Sequence, residues 1–125
     1  MELIFGTNGV ELVKENGNWE MKSGFGFSPV QSLVASVGAC GMYVFTAILT
    51  KSGIEHEIIK TTLAFEVDES TRVKPIKTIT IDYHITVDAS DKDKVERFVH
   101  LVPKNCPVMQ SLNSNIEVIE NIIYL

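Results

Sequence analysis

The sequence predicts a single α+β domain with an antiparallel sheet and one long buried central helix. Three observations support that class. Residues 29–50 contain no charged side chain. Two later runs, 57–69 and 77–87, alternate apolar and polar residues with a period of two. The chain has 125 residues, the length of one domain, so 1–125 is taken as one unit.

The first 23 residues read as short strands, because Thr7-Asn8-Gly9 and Asn16-Gly17-Asn18 are turn signals. The segment "GFGFSP" is a loop that leads into a helix. Ser28 is placed to cap that helix, and Pro29 falls in its first turn, where a missing N–H does no harm. Gln31, three residues after Ser28, completes a capping box. The charge-free run then continues as a helix of about 22 residues until Gly53 ends it.

A helix that is apolar nearly all round belongs in an interior. Its length almost suffices for a bilayer. Gln31, Ser32, Ser36, Thr46 and Thr50 interrupt it, however, and no basic flank precedes it, so a membrane span is not expected. Ser32, Ala35, Ser36 and Ala39 form a stripe of small residues, with Gly38 and Gly41 beside it. Short side chains let another helix approach closely. In so small a domain a second copy of the same helix is the natural partner, which predicts a homodimer.

Downstream, "EIIKTTLAFEVDE" sets Ile59, Thr61, Leu63, Phe65 and Val67 against polar neighbours, and "KTITIDYHITV" does the same with Ile79, Ile81, Tyr83, Ile85 and Val87. These are two half-buried strands of a hairpin, joined by "DESTRVKP". An amphipathic helix follows in "SDKDKVERFVH", capped by Ser90 or Asp91, with Val95, Phe98, Val99 and Val102 facing inward. A short helix in "CPVMQSLN" and a closing strand in "IEVIENIIYL" complete the order.

Net charge is −5 with a pI near 5.1 and no basic stripe, so no nucleic-acid partner is expected. The first residues lack the marks of a signal peptide, and a cytoplasmic location is expected. Two cysteines 66 positions apart are not a secreted disulfide framework. His56, His84 and His100 show no metal-ligand spacing, and no metal is expected.

The two cysteines differ locally. Cys106 precedes Pro107 at a helix start, where unpaired N–H groups and the helix dipole favour thiolate, and Lys104 adds a nearby positive charge. A lowered pKa is expected there. Cys40 lies mid-helix, and its local surroundings read as core filler. Spacing alone leaves open whether the two meet.

"SPVQSLVASVGACG" and "NCPVMQSL" together resemble the OsmC/Ohr family, the osmotically inducible and organic hydroperoxide resistance proteins. The family pattern opens its central helix with Ser/Asn-Pro and places a cysteine eleven residues after the proline, as Pro29 and Cys40 stand here. Its second cysteine opens a later helix as Cys-Pro, matching Cys106 and Pro107. The resemblance covers essentially the whole chain.

It implies an OsmC-like fold, antiparallel sheets wrapping the long central helix in an intertwined homodimer, with active sites at the subunit interface and no metal or organic cofactor. It further implies reduction of organic hydroperoxides. Cys40 would attack the peroxide and become a sulfenic acid, and Cys106 would condense with it to a disulfide. A dithiol, in one branch a lipoylated protein, would then reduce that disulfide.

This sequence departs from the family in one respect. Characterised branches hold an arginine from the N-terminal strands against a glutamate just after the helix-opening proline. Here no arginine precedes Arg72, and Val30 and Gln31 follow Pro29. Arg72, Arg97 or a lysine of the second copy is a candidate to replace that cation beside Cys40. The substrate pocket is expected to involve Gln31, Phe25, Phe27, Met42, Tyr43 and Met109; packing is the competing role for the two phenylalanines, and Trp19 is read as packing. Two other functions remain open. One is a dimer with weak or lost peroxidase activity that binds an apolar small molecule or serves another thiol redox role. The other is a purely structural dimer.

Overall fold

A computed structural model describes all residues, Met1–Leu125. The chain falls into two compact units, Met1–Ala35 and Ser36–Leu125.

The first unit is a small antiparallel sheet followed by the start of a helix. Strands β1 (Leu3–Phe5), β2 (Val10–Leu12) and β3 (Trp19–Glu20) pair in sequence order. The two turn signals sit between them, with Gly9 and Gly17 at φ of 140° and 109°, where a side chain would be strained. This sheet is thinly covered: Leu3 is 60% and Phe5 89% exposed. Helix α1 (Pro29–Lys51) starts as the sequence predicts. The Gln31 amide N–H donates to Ser28 Oγ at 3.1 Å, and the Ser28 N–H donates to Gln31 Oε1 at 2.8 Å, a reciprocal capping box.

The second unit contains the rest of α1, a three-stranded sheet and three short helices. Strands β4 (His56–Val67) and β5 (Ile76–Val87) form the expected antiparallel hairpin. A 3-10 turn at Ala89–Asp91 follows, then α2 (Lys92–Val99), α3 (Val102–Asn105), α4 (Pro107–Gln110) and β6 (Glu117–Tyr124). Asp91 is the N-cap residue of α2, one of the two expected positions, but makes no side-chain cap bond; the side-chain cap lies at the start of the 3-10 turn, where the Asp88 carboxylate accepts from the Ser90 N–H at 2.9 Å.

The sequence led us to expect antiparallel pairing throughout, and β6 departs from it by running parallel to β5. The intervening helices form a crossover. They carry the chain from the end of β5 back to its beginning, so that Glu117 pairs with Thr78.

Strand β5 is central, in the order β4-β5-β6. Its inward row follows the predicted period: Ile79, Ile81, Tyr83 and Ile85 have no exposed surface. Burying each such side chain contributes about 1.5–3 kcal/mol. The edge strand β4 is less regular. A bulge interrupts its pairing between Ile58 and Lys60, and Ile59, Leu63 and Phe65 remain exposed.

Length and composition alone would let α1 cross a membrane. Within this fold its Val37, Phe45 and Leu49 are fully buried, and Phe45 packs on Tyr83 with ring centroids 5.0 Å apart. Gly38 and Gly41 serve the sheet rather than a second helix. A Cβ on Gly38 would meet the Leu63 side chain, and one on Gly41 would meet the Tyr83 hydroxyl. Of the small-residue stripe, Ser36 and Ala39 remain exposed.

Candidate active site

The Cys-Pro junction creates a sharp boundary between two helices. Cys106 has an extended backbone, with φ −100° and ψ 108°, and ends α3 while capping α4. Pro107 fixes the first position of α4, where no N–H is needed. The Cys106 sulfur accepts from the Met109 N–H at 3.4 Å. Cys106 is completely buried.

Cys40 is half-buried, on the seam of α1 between its sheet-facing and exposed sides. The two thiols are free, and Cys40 stands close enough to Cys106 to act on its thiol. Residues separated by 66 positions are thus brought near one another, and Met109 of α4 reaches Gly41 of α1.

The electrostatics of Cys106 correct the sequence expectation. Its pKa is raised rather than lowered. Burial is the largest cause, and Cys40 adds to it; the N–H groups of Met109 and Val108 pull the other way and are outweighed. Helix α4 is only four residues long, so its dipole is small, and Lys104 points to solvent.

A second hydrogen-bonded pair, one member buried and one half-buried, lies near the thiols. Tyr83, fully buried on β5, donates its hydroxyl to Glu120 Oε2 on β6 at 2.7 Å. Its oxygen occupies the space a side chain at position 41 would need, next to Cys40 in the chain. Burial pushes the tyrosine far above its ordinary range, with Glu120 and the charges of Cys106 and Cys40 adding to the effect. Burial also raises Glu120; the hydrogen bond from Tyr83 and the charge of His100 oppose that rise. Sequence reasoning missed both residues. Tyr83 stands in the apolar row of β5 and was counted as core, and the one available signal was Glu120, a charge inside the apolar run "IEVIENIIYL".

The other expected pocket residues have varied positions. Met109 is 8% exposed, and its methyl lies close to Gly41. Met42 is half-buried, whereas Tyr43 is 80% exposed. Gln31 uses its side-chain oxygen in the helix cap. Phe25 and Phe27 are exposed, and the Lys22 ammonium lies 5.7 Å from the centre of the Phe25 ring. Arg72 and Arg97 are exposed. His56 Nδ1 lies 2.9 Å from the Ile54 carbonyl oxygen and His84 Nε2 3.4 Å from Thr62 Oγ1. No three His, Cys, Asp or Glu side chains are grouped to hold a metal ion.

This arrangement can do thiol redox chemistry. Two neighbouring thiols can bridge after local movement, and one can trap a sulfenic acid formed on the other.

Comparison with known proteins agrees with the fold. The sequence profile of the family described as OsmC-like protein matches residues 21–121. An OsmC-like protein from Mycoplasma pneumoniae superposes with a TM-score of 0.80 at 13% identity, over 99% of this chain and 94% of that one. A hypothetical protein from Aquifex aeolicus gives 0.77 at 22% identity, over 99% and 95%. The organic hydroperoxide resistance protein OhrB of Bacillus subtilis gives 0.66 at 18% identity, over 97% and 94%. Among curated protein sequences none matches the chain.

Proposed function

The chain belongs to the OsmC-like protein family, and from that premise we propose that it reduces organic hydroperoxides with Cys40 and Cys106. The observation that supports the proposal is the nearness of Cys40 to Cys106, whose thiol it acts on. The Cys40 thiolate attacks one peroxide oxygen, the O–O bond breaks, and the alkoxide leaves as an alcohol after taking a proton. Cys40 is then a sulfenic acid. The Cys106 sulfur attacks it, the S–O bond breaks, and water leaves with formation of a disulfide. A dithiol, free or carried on a lipoylated protein, returns both sulfurs to thiols and is itself oxidised. No cofactor takes part, and the reducing cytoplasm is the fitting compartment.

The working unit of this proposal is a homodimer. Helix α1 is apolar, yet Ser36, Ala39, Tyr43 and Ala47 lie on an exposed side next to Cys40. A second copy covering that side would dry the site and could bring Phe25, Phe27 or a cation to Cys40. The name of the Bacillus subtilis neighbour, an organic hydroperoxide resistance protein, supports the substrate class.

One observation favours a second reading, a dimer that binds an apolar ligand or performs other thiol chemistry. The groups that act on Cys106 include no cationic side chain, and its thiol is pushed up. Peroxide consumption separates the two. With cumene hydroperoxide and a dithiol, the first reading predicts turnover that Cys40→Ser abolishes. Absence of turnover, or turnover that survives Cys40→Ser, supports the second.

A further inference from the structure

The proposed reaction moves protons inside a buried site. The Cys106 thiol must lose its proton before its sulfur can attack, and the departing hydroxide must gain one. Cys106 is sealed from solvent, and its surroundings disfavour the thiolate. A nearby base would meet that need.

We propose that Glu120, acting through Tyr83, takes the proton from the buried Cys106 thiol and returns it. This rests on the reading of Cys40 and Cys106 as a redox couple. Three features support it. The Tyr83 hydroxyl already donates to Glu120 Oε2 at 2.7 Å, so the leg of the path between phenol and carboxylate is in place. The phenol oxygen fills the gap left by Gly41, one residue from Cys40, and Met109 closes that gap from the side of Cys106. The pair also links interior to surface: Tyr83 is fully buried in an apolar row where its hydroxyl costs desolvation that Phe would not, and Glu120 is half-buried.

The balance is closed. The thiol proton passes to the phenol oxygen as the phenol proton passes to the carboxylate. Sulfur attacks sulfur, the S–O bond breaks, and the leaving hydroxide recovers the proton as water by the reverse path. Glu120 and Tyr83 end as they began. The titratable groups facing the pair are Cys40 from α1, Cys106 at the start of α4 and His100 after α2. From β4 the residue opposite Tyr83 is Thr61, whose buried hydroxyl has no hydrogen-bond partner and does not titrate. Burial holds the Glu120 carboxyl above the ordinary carboxylate range, closer to a pH at which it can exchange protons.

The test is the rate of Cys40–Cys106 disulfide formation against pH in the full chain, in wild type, Glu120→Gln, Tyr83→Phe and the double variant. Two oxidants are used: cumene hydroperoxide, and diamide, which oxidises thiol pairs without peroxide. The proposal predicts that each single variant is slower by about 10²-fold at neutral pH and loses the acid limb of the profile. The double variant should be no slower than the singles, because the two residues act as one unit. Unchanged rates and profiles would overturn it and leave the pair structural. Faster reaction with a profile moved to lower pH would overturn it too, since Glu120 would then act only by repelling thiolate. If wild type forms the bridge with diamide but not with hydroperoxide, the peroxide reading falls, and the diamide profile alone decides the role of Glu120.

Discussion

The two sides of α1 are fitted to different standards. Toward the sheet, Val37, Phe45 and Leu49 are fully buried, and the gaps at Gly38 and Gly41 are filled by Leu63 and by the Tyr83 hydroxyl. On the other side Ser36, Ala39, Tyr43 and Ala47 are exposed, although no charge marks this as a surface meant for water. Cys40 stands on the seam. A single chain therefore completes the half of the site that contains Cys106, Tyr83 and Glu120. The apolar, uncharged side is left for another surface, and a second copy is our proposed occupant.

Substitutions on the two sides sharpen this contrast. The largest effect should come from the fitted side. Phe45→Ala removes a ring packed on Tyr83 and should cost about 3–5 kcal/mol in denaturant unfolding. A loss below 1 kcal/mol would mean the fit is loose. Gly41→Ala drives a methyl into the Tyr83 hydroxyl. It should cost about 1–3 kcal/mol, because the buried ring has to shift. Tyr43→Lys, on the open side, should alter the fold of one chain by no more than about 0.5 kcal/mol. It should nevertheless halve the mass seen in sedimentation, and an unchanged two-chain mass would break the contrast.

A subtler effect is a pH slope. Glu120 has a raised pKa in the folded chain, so the stability linked to its protonated form is present in acid and declines as pH rises through the folded value. Glu120→Gln should flatten that decline in melting curves taken from pH 4 upward. An identical slope in the variant would show that Glu120 does not titrate as described.

Much of this was legible in the sequence. The capping box at Ser28 and Gln31, the period of β5 and the Cys-Pro cap are local patterns, and local patterns are written in consecutive residues. What was hidden depends on contacts between distant segments. Strand direction leaves no local mark, so the parallel pairing of β6 was unreadable. The raised pKa of Cys106 comes from burial supplied by the rest of the fold, which a helix-start motif does not record. Tyr83 looked like one more apolar residue because its hydroxyl partner lies 37 positions away. The nearness of the two thiols could be inferred only from the family resemblance.

The central claim is that Cys40 and Cys106 work as one couple. Its most direct test is peptide mass mapping of the protein after one equivalent of organic hydroperoxide, with remaining thiols blocked. The account predicts a Cys40–Cys106 disulfide within one chain and the loss of both thiols together. Oxidation of Cys40 alone beyond the sulfenic state, with Cys106 recovered as a free thiol, would contradict it.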